Sequence, residues 1–418
     1  MSAPTTATLT TTPGARTASR ASAAPPALMH LGPRPAAVFV RGQGSWLWDA
    51  SGQRHLDLVQ GWAVNTLGHA PDLLAQALTR QAGTLLQAGP GFYNDQAIAL
   101  AQRLSALSGL DRVFIATSGA EANEGAVKLA RKWGQQHKQA ASTVLSFANS
   151  FHGRTLAMMA ASGKPGFNQI FAPAVPGFVH APFNRIDAVR ARLSAEVCAV
   201  LVEPIQGEAG VVEAELAFLQ QLRQLCDEHR ALLIVDEVQT GIGRCASLFA
   251  HTQWGITPDI VTLGKGLGGG VPIGAVLARE QVCCFAPGDQ GGTFNGNALV
   301  CAAALAVLDA VTAPGFLANV QAQGERLAAG LAALSVRHGL GAVHGRGLLR
   351  ALALPPGLTA GLLADAARNP PVGDGLLVNP AQPQRLRLMP ALNISAAEVD
   401  TGLALLDAAL ERVTVPTA

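Results

Sequence analysis

A lysine set among glycines is the first place where the sequence offers chemistry. The short apolar run Ile260–Leu263 is typical of a buried strand, and Lys265 follows it within GKGLGGG. An amine that must bond covalently to a flat ring needs neighbours without side chains. Glycine permits both close approach and unusual backbone angles. Taken alone, the run could equally be a mobile surface loop that carries a solvated lysine.

A carboxylate follows the preceding apolar run in the same way. Leu232–Val235 ends in Asp236, twenty-nine positions before Lys265, which is enough chain for one crossover between adjacent parallel strands. Both side chains would then emerge at the carboxyl edge of a sheet. Pyridoxal 5'-phosphate (PLP) works as an electron sink when its ring nitrogen stays protonated, and a carboxylate in a dry site stabilises that state. The pair therefore predicts a PLP site, with a helix cap as the alternative role of Asp236 and with Glu237 facing away.

A third segment offers donors for a phosphate group. The run ATSGAEAN places Ser118 and Gly119 between a strand and a helix that is predicted to reach about Trp133. A helix N-terminus binds anions through its free N–H groups. The alternative is an ordinary capping pair of Ser118 with Glu121.

A fourth segment offers groups for a ring and for a substrate carboxylate. After the strand Thr143–Phe147, the run NSFHGRT supplies Phe151 for stacking and Arg154, and arginine binds carboxylates through two parallel hydrogen bonds. Arg154 is thus predicted to clamp an amino-acid substrate, with a surface salt bridge as the alternative. His152 could be a ligand-site residue or a core residue with satisfied hydrogen bonds.

Composition limits the class of protein. The 418 residues exceed what one core accommodates, and 49% hydrophobic against 14% charged residues predict a compact chain that forms a homo-oligomer. The net charge of +2 argues against nucleic acid or an anionic membrane as a partner. The six cysteines lack the spacing of a metal site or a disulfide framework, so we expect reduced thiols in a cytoplasmic protein without a metal. No apolar run has the length of a membrane span.

The order of patterns along the chain predicts an α/β fold. Residues 37–59 alternate around glycines like a small antiparallel meander, whereas residues 110–279 alternate short β-rich runs with helical stretches, as in a mostly parallel sheet covered by helices. Helical patterns follow Phe294, then short strands, then a last helix over Ala396–Leu410. Residues 1–26 contain arginines and no acidic residue, as a transit peptide would, but we favour a disordered tail.

Six runs together resemble the class III (ornithine-type) aminotransferases of PLP fold type I. They are VDEVQTGIGR, TLGKGLGG, TSGAEANEGAVKLAR, SFHGRT, VEPIQGEAGV and GGTFNGN, spread over nearly the whole chain after residue 36. The resemblance implies a large PLP-binding domain and a small α+β domain built from both ends of the chain. The predicted division is 1–26 tail, 27–68 small domain, 69–310 large domain and 311–418 small domain.

The resemblance also implies roles for individual residues around the cofactor. Lys265 would be the Schiff-base lysine and Asp236 the partner of the pyridine nitrogen. The other implied cofactor contacts are Ser118, Gly119 and Ala120 on the phosphate, Phe151 over the ring, Val238 behind it, Gln239 near the phenolic oxygen, and Thr293 on the phosphate of the neighbouring subunit. Thr293 in that role makes a homodimer with shared active sites the active unit.

On the substrate side, the resemblance implies that Arg154 holds the α-carboxylate. Glu208 and Arg387 would form a pair that opens or closes to admit either a cationic amine donor or 2-oxoglutarate. Tyr93 lies in a stretch that lines the substrate entrance in relatives, with a packing role as the alternative.

Three positions depart from the family pattern. Many relatives read GSTF where this chain has Gly292 before Thr293, so a hydroxyl expected near the substrate is missing and the backbone alone would replace it. Asn295 stands where glycine is usual. Gly61 stands where the enzymes specific for ornithine carry a carboxylate-binding tyrosine, which argues against plain ornithine as the substrate.

The runs LDLVQGWAVNTLGHAP and LRLMPALNISAAEVDTGL most resemble the branch of the family that acts on N-acetylornithine in bacterial arginine biosynthesis. The predicted reaction moves the δ-amino group of N2-acetyl-L-ornithine to 2-oxoglutarate, which gives N-acetylglutamate 5-semialdehyde and glutamate. Succinylornithine, N-succinyl-diaminopimelate, ornithine and 4-aminobutyrate remain alternative donors, because the apolar wall that selects among them is not readable from motifs. An aminomutase and a PLP-binding protein without activity are the remaining alternatives.

Overall fold

The computed structural model describes residues 27–413, so the tail predicted over residues 1–26 lies outside the described residues. The strands in the described part are β1 (Phe39–Gln43), β2 (Trp46–Asp49), β3 (Arg54–Asp57), β4 (Arg112–Ala116), β5 (Thr143–Phe147), β6 (Phe178–Ala181), β7 (Val197–Val202), β8 (Ile205–Gln206), β9 (Val212–Glu213), β10 (Leu232–Asp236), β11 (Ile260–Leu263), β12 (Gly274–Ala278), β13 (Val343–Arg346), β14 (Leu349–Ala353), β15 (Gly375–Leu377), β16 (Asn379–Gln382) and β17 (Arg385–Leu388).

The α-helices of the same residues are α1 (Gln60–Ala63), α2 (Asp72–Ala82), α3 (Asp95–Ser108), α4 (Gly119–His137), α5 (Leu156–Ala161), α6 (Phe167–Ile170), α7 (Ile186–Arg190), α8 (Leu216–Glu228), α9 (Ala298–Val311), α10 (Phe316–His338), α11 (Ala360–Arg368) and α12 (Ala396–Val413). Short 3-10 helices cover Ala250–Trp254, Lys265–Gly268 and Glu280–Val282.

A seven-stranded sheet forms the centre of the molecule, in the order β4-β12-β11-β10-β7-β5-β6. Its strands run parallel except β12, which pairs antiparallel with both β11 and β4. Strands β7 and β10 to β12 are buried along their whole length, because helices cover both faces of the sheet. The mostly parallel α/β sheet predicted from the sequence is confirmed.

The predicted crossover between two neighbouring parallel strands is also confirmed. β10 pairs in parallel with β11, and Asp236 stands opposite Thr262 in the register. Both strands therefore end at one edge of the sheet, where parallel α/β sheets place their ligands. The side chains of Asp236 and Lys265 leave the sheet at that edge.

Two four-stranded sheets lie outside the central one. β1, β2 and β3 form the predicted antiparallel meander, and β15 adds to β3 in parallel, so a segment near the C-terminus completes an N-terminal sheet. The other sheet has the order β13-β14-β17-β16. One apolar core contains Leu56 together with Leu327 and Leu386, which ties both ends of the chain together. The domain boundaries proposed from the sequence stay a prediction.

Helix ends differ from the predicted ones by a few residues. α4 continues to His137, beyond the predicted end near Trp133, and α12 continues to Val413 rather than ending at Leu410. The added turns are mostly polar and helix-compatible, so they carry no hydrophobic period that would reveal them.

Within residues 27–413, no single helix is long and apolar enough to cross a membrane. α9 and α10, bent by 72° at their junction, would pass that test only as a pair, and only on length and composition.

Candidate active site

Lys265 occupies a strained turn at the carboxyl edge of the sheet. It follows β11 and Gly264, and its φ of 40° lies in the left-handed region that side chains seldom adopt. Thr66 supports the turn, since its hydroxyl donates to the carbonyl oxygen of Gly266 at 2.6 Å. Gly264 lies against the start of α4, where a Cβ on it would be 3.0 Å from the Cα of Gly119. The glycines thus allow the backbone of this turn to approach α4 closely, so the segment is not a solvated surface loop.

The amine of Lys265 is in an environment that favours its neutral form. Burial, and then the positive charge of Arg387, lower the pKa of Lys265 to about 8, against the opposing charges of Glu208, Asp236 and Glu203. A neutral amine is the form that acts as a nucleophile or as a base.

Asp236 is buried and held in one orientation by three donors. Its Oδ2 accepts from Asn123 Nδ2 and pairs with His152 Nδ1, both at 2.8 Å, and its Oδ1 accepts from the backbone N–H of Val238 at 3.0 Å. Thr262 in turn fixes the amide of Asn123, by donating from its hydroxyl to Oδ1 at 2.6 Å. The network orients the carboxylate, and no helix begins at Asp236 for it to cap.

Glu237 faces the opposite side of the sheet, as predicted. Its carboxylate accepts from the backbone N–H groups of Ala250 and His251, each at 2.7 Å, and pairs with His251 Nδ1 at 2.7 Å. Both oxygens of the carboxylate are thus used in hydrogen bonds to the segment Ala250–His251, away from the site.

The N-terminus of α4 has the free donors that an anion needs. Ser118 caps the helix by accepting from the N–H of Glu121 at 3.2 Å, while the N–H groups of Gly119 and Ala120 have no partner within residues 27–413. The carboxylate of Glu121 turns to Thr117, whose N–H donates to it at 2.6 Å and whose hydroxyl also bonds to it. The predicted capping pair is thus half present, and two N–H groups remain for a ligand.

Val238 closes the space beside that helix end. A Cβ on Gly119 would lie 2.5 Å from Val238 Cγ1, so this position accepts only glycine without a shift of the helix or of Val238. The close contact brings the strand end of Asp236 and the first turn of α4 together.

Phe151 and Arg154 extend from the loop after β5. The backbone N–H of Phe151 donates to Glu203 at 3.0 Å, and the guanidinium carbon of Arg154 lies 5.7 Å from the centre of the Phe151 ring. Burial, and then the charge of Asp236, raise the pKa of Glu203 well above its usual value. Arg154 is exposed and forms no ion pair with a carboxylate among the described residues.

Glu208 and Arg387 form an ion pair beside Lys265. Arg387 is fully buried, and its Nη2 lies 2.6 Å from Glu208 Oε1. Asn379 accepts two further hydrogen bonds from the guanidinium, at 2.8 and 3.0 Å, and Gln239 Oε1 accepts another at 3.1 Å. Burial raises the pKa of Glu208, but the charge of Arg387 and its hydrogen bond bring it below its ordinary value, so the pair is charged.

Thr293, Gly292 and Tyr93 lie on two segments that contact each other at the surface of the chain. Gln87 Nε2 donates to the carbonyl oxygen of Thr293 at 2.6 Å, and Asn94 Nδ2 donates to that of Gly296 at 2.8 Å. Tyr93 is 94% exposed, so it does not pack within this chain. The hydroxyl of Thr293 bonds to no group of the described residues and is free to meet another molecule.

Several polar residues that orient the side chains or the backbone of the site belong to no recognised motif role in the sequence. They are Asn123, Thr262, Glu203 and Asn379, each buried. Asn123 lies on the buried face of α4, and a polar group in such a place must find a partner, which was a usable signal. The partner itself lies on another strand, so its identity required the fold.

These residues fit PLP by their chemistry. A lysine amine with a lowered pKa, a buried carboxylate with fixed orientation and two free N–H groups at a helix start match the aldehyde, the ring nitrogen and the phosphate of that cofactor. Because Gly119 has no side chain, the start of α4 lies directly against Val238, so these groups are close enough to bind one small molecule.

Comparison with known proteins identifies relatives along the whole chain. Residues 30–410 match the family model Aminotransferase class-III. The chain is 53% identical over 387 residues to acetylornithine aminotransferase 2 of Bordetella bronchiseptica, which covers 93% of this chain and 97% of that protein.

Solved structures give the same result in three dimensions. N-acetylornithine aminotransferase from Stenotrophomonas maltophilia is 39% identical, with a TM-score of 0.79 and coverage of 91% of this chain and 96% of that one. Ornithine aminotransferase from Toxoplasma gondii, a structure with partial occupancy of PLP at its active site, is 30% identical, with a TM-score of 0.87 and coverage of 93% and 92%.

Proposed function

Since the chain belongs to the class-III aminotransferases, which depend on PLP, we propose that it transfers the δ-amino group of N2-acetyl-L-ornithine to 2-oxoglutarate. The products are N-acetylglutamate 5-semialdehyde and glutamate. The observation that carries the proposal is the ion pair of Glu208 with the buried Arg387 next to Lys265, because it offers one site to two differently charged substrates.

The chain's own residues would hold the cofactor at three points. Lys265 would bind its aldehyde covalently, Asp236 would pair with its ring nitrogen, and the free N–H groups of Gly119 and Ala120, with the hydroxyl of Ser118, would receive its phosphate. Phe151 would cover one face of the ring and Val238 the other, and Gln239 would contact the phenolic oxygen. Bound PLP supplies an electron sink that stabilises the negative charge left when the carbon beside the amine loses its proton.

Once the amine of the donor has taken its place on the cofactor aldehyde, Lys265 would be free to act as the base and acid of the reaction. Its amine, with a pKa of about 8, takes a proton from the substrate carbon and returns one to the cofactor side of the site. An ordinary lysine would be protonated at neutral pH far more completely and would perform this role poorly. Asp236, fixed by Asn123 and His152, keeps its carboxylate directed at the ring nitrogen throughout.

Glu208 and Arg387 select the substrate of each half of the cycle. While the pair is closed, Glu208 neutralises Arg387 and the site accepts the acylated amine donor. When 2-oxoglutarate arrives, the carboxylate beside its keto group would replace Glu208 on the guanidinium, which Asn379 and Gln239 hold in place.

Arg154 holds the α-carboxylate of the donor. Its guanidinium is exposed and without a carboxylate partner among residues 27–413, and it lies beside Phe151, so a carboxylate bound there would be held away from the reacting δ-amine. Gly61, which has no side chain to bind a carboxylate, favours the acylated donor over plain ornithine.

The active unit is a homodimer in the cytoplasm. The exposed hydroxyl of Thr293 supports the dimer, since the family resemblance directs it to the phosphate of the neighbouring subunit. The six cysteines are free thiols, which supports a reducing compartment.

A spectral half-reaction tests the substrate. The PLP-loaded protein is mixed, without any oxo acid, with N-acetylornithine, succinylornithine, N-succinyl-diaminopimelate, ornithine or 4-aminobutyrate, and the cofactor absorbance is followed. We expect the fastest change with N-acetylornithine. A preference for ornithine or 4-aminobutyrate would overturn the substrate and leave the aminotransferase in place.

A further inference from the structure

The two departures from the family pattern in the segment Gly292–Asn295 lie in contact with each other. A Cβ on Gly292 would be 2.9 Å from both amide atoms of Asn295 and 3.0 Å from its Cγ. The amide of Asn295 therefore fills the space that the side chain of residue 292 would need. A serine at position 292 and this placement of Asn295 exclude one another.

The amide of Asn295 also has two polar partners in that space. Oriented to satisfy its neighbours, it donates from Nδ2 to Glu121 Oε1 at 3.2 Å and accepts from the backbone N–H of Gly292 at 3.2 Å. The backbone N–H of Asn295 donates to the carbonyl oxygen of Gly292 at 3.1 Å. Residues 292 and 295 thus close a turn that is bonded to the first turn of α4.

Glu121 carries this connection to the phosphate-binding segment. While its Oε1 faces Asn295, its Oε2 accepts from the N–H and the hydroxyl of Thr117, directly before Ser118 and Gly119. The carboxylate is therefore fixed at both oxygens, one by the Thr293 turn and one by the segment with the free N–H groups. Without Asn295, the carboxylate of Glu121 is held through Oε2 alone, so its orientation and that of the Thr117 segment are less restricted.

We propose that Asn295 is a positioning residue for the cofactor phosphate, which joins the Thr293 turn to Thr117 through Glu121. Gly292 leaves room for the amide, which a side chain at position 292 would displace. The two departures are therefore one coupled pair.

A double-mutant cycle on PLP affinity tests the pair. The dissociation constant of PLP is measured by absorbance titration of apoenzyme carrying Gly292→Ser, Asn295→Gly or both, with the melting temperature of each apoenzyme as the check on folding. We expect each single change to weaken PLP binding by roughly three- to tenfold, the size of a typical net hydrogen bond. The double variant should be no weaker than either single one, because the serine has no amide left to displace.

Gly291→Ser is the matched control. A Cβ on Gly291 would meet no atom within 4 Å, so this variant should bind PLP as the unchanged protein does. Additive effects of Gly292→Ser and Asn295→Gly, or unchanged affinity in Asn295→Gly, would overturn the proposal. An equal loss of PLP affinity in Gly291→Ser would also overturn the proposal, since it would show that any serine in this segment weakens PLP binding.

Discussion

At the scale of single residues, charge and burial decide what each group of the site can do. Lys265 and Arg387 lie in one charged region, where burial and the charge of the arginine lower the pKa of the lysine. The amine thereby becomes available for chemistry, while the guanidinium is paired with Glu208. The carboxylates of Asp236, Glu208 and Glu203 offset part of that positive charge.

The first prediction concerns the pH dependence of cofactor capture. Only neutral Lys265 attacks the PLP aldehyde, and because its pKa is lowered to about 8, the neutral fraction should rise by about tenfold per pH unit below pH 8 and level off above it. Stopped-flow absorbance of apoenzyme mixed with PLP measures this rate. In Arg387→Ala the midpoint should move upward, since a neighbouring positive charge is removed. A rate that keeps rising to pH 10 in the unchanged protein would contradict the lowered pKa of Lys265.

At the scale of secondary-structure elements, the site depends on how closely two of them approach. The end of β10 and the start of α4 meet through Val238 and Gly119, where the missing Cβ allows contact. The free N–H groups at the start of α4 and the carboxylate at the end of β10 are thereby brought close together, as the proposed cofactor site requires. A helix start displaced by the width of a methyl group would separate them.

Gly119→Ala tests this approach. Its Cβ would meet Val238 Cγ1 at 2.5 Å, so we expect a loss of about 1–3 kcal/mol in the free energy of unfolding and weaker PLP binding. Urea unfolding and PLP titration measure the two effects. Gly361→Ala, where a Cβ in α11 would meet nothing within 4 Å, should be neutral or slightly stabilising. If the Gly119→Ala protein had the same stability and PLP affinity as the Gly361→Ala protein, the proposed role of this contact would be contradicted.

Elements with strong local patterns could be predicted from the sequence, and those formed by long-range pairing could not. The apolar runs of β4, β10 and β11 give their position, and the crossover length gives the adjacency of β10 and β11. β6 and β15 were not predicted. Both are short, glycine precedes or opens them, and their pairing with β5 and β3 is visible only in the fold.

The same distinction holds within the site. Lys265 and Asp236 could be found because each directly follows an apolar run, at a spacing that chemistry explains. The contacts of Asn123 with Asp236 and of Asn295 with Glu121 join residues more than a hundred positions apart, so no local pattern predicts them. Asn295 is unusual in the sequence pattern, but only the structure shows that its side chain lies against Gly292, the other unusual residue of that segment.

At the scale of the whole molecule, the chain brings its two ends together around a second core. β15 pairs with β3, and Arg387 on β17 reaches Glu208 beyond β8. Arg387, for which we propose a role in selecting the substrate, thus belongs to the C-terminal segment, whereas Lys265 follows a strand of the central sheet. Movement between these parts would open or close the ion pair.

Mixed dimers test whether Thr293 serves the neighbouring subunit. Lys265→Ala and Thr293→Ala proteins, separately tagged, are unfolded together, refolded, and purified as hybrids. In the proposed arrangement a hybrid contains one site with both Lys265 and Thr293 intact. We expect that site to bind PLP with the affinity of the unchanged protein, as measured by titration. Affinity no better than that of the Thr293→Ala dimer would place the threonine in its own subunit's site and contradict the shared active site.

Transfer of labelled nitrogen tests the central claim most directly. The enzyme is incubated with N2-acetyl-L-ornithine carrying 15N at the δ-amino group and with unlabelled 2-oxoglutarate, and glutamate is analysed by mass spectrometry. The proposed reaction predicts 15N in glutamate in equal amount to the semialdehyde formed, and no transfer by Lys265→Ala. Unlabelled glutamate, release of the label as ammonia, or its retention in a rearranged ornithine derivative would contradict an aminotransferase acting on this donor.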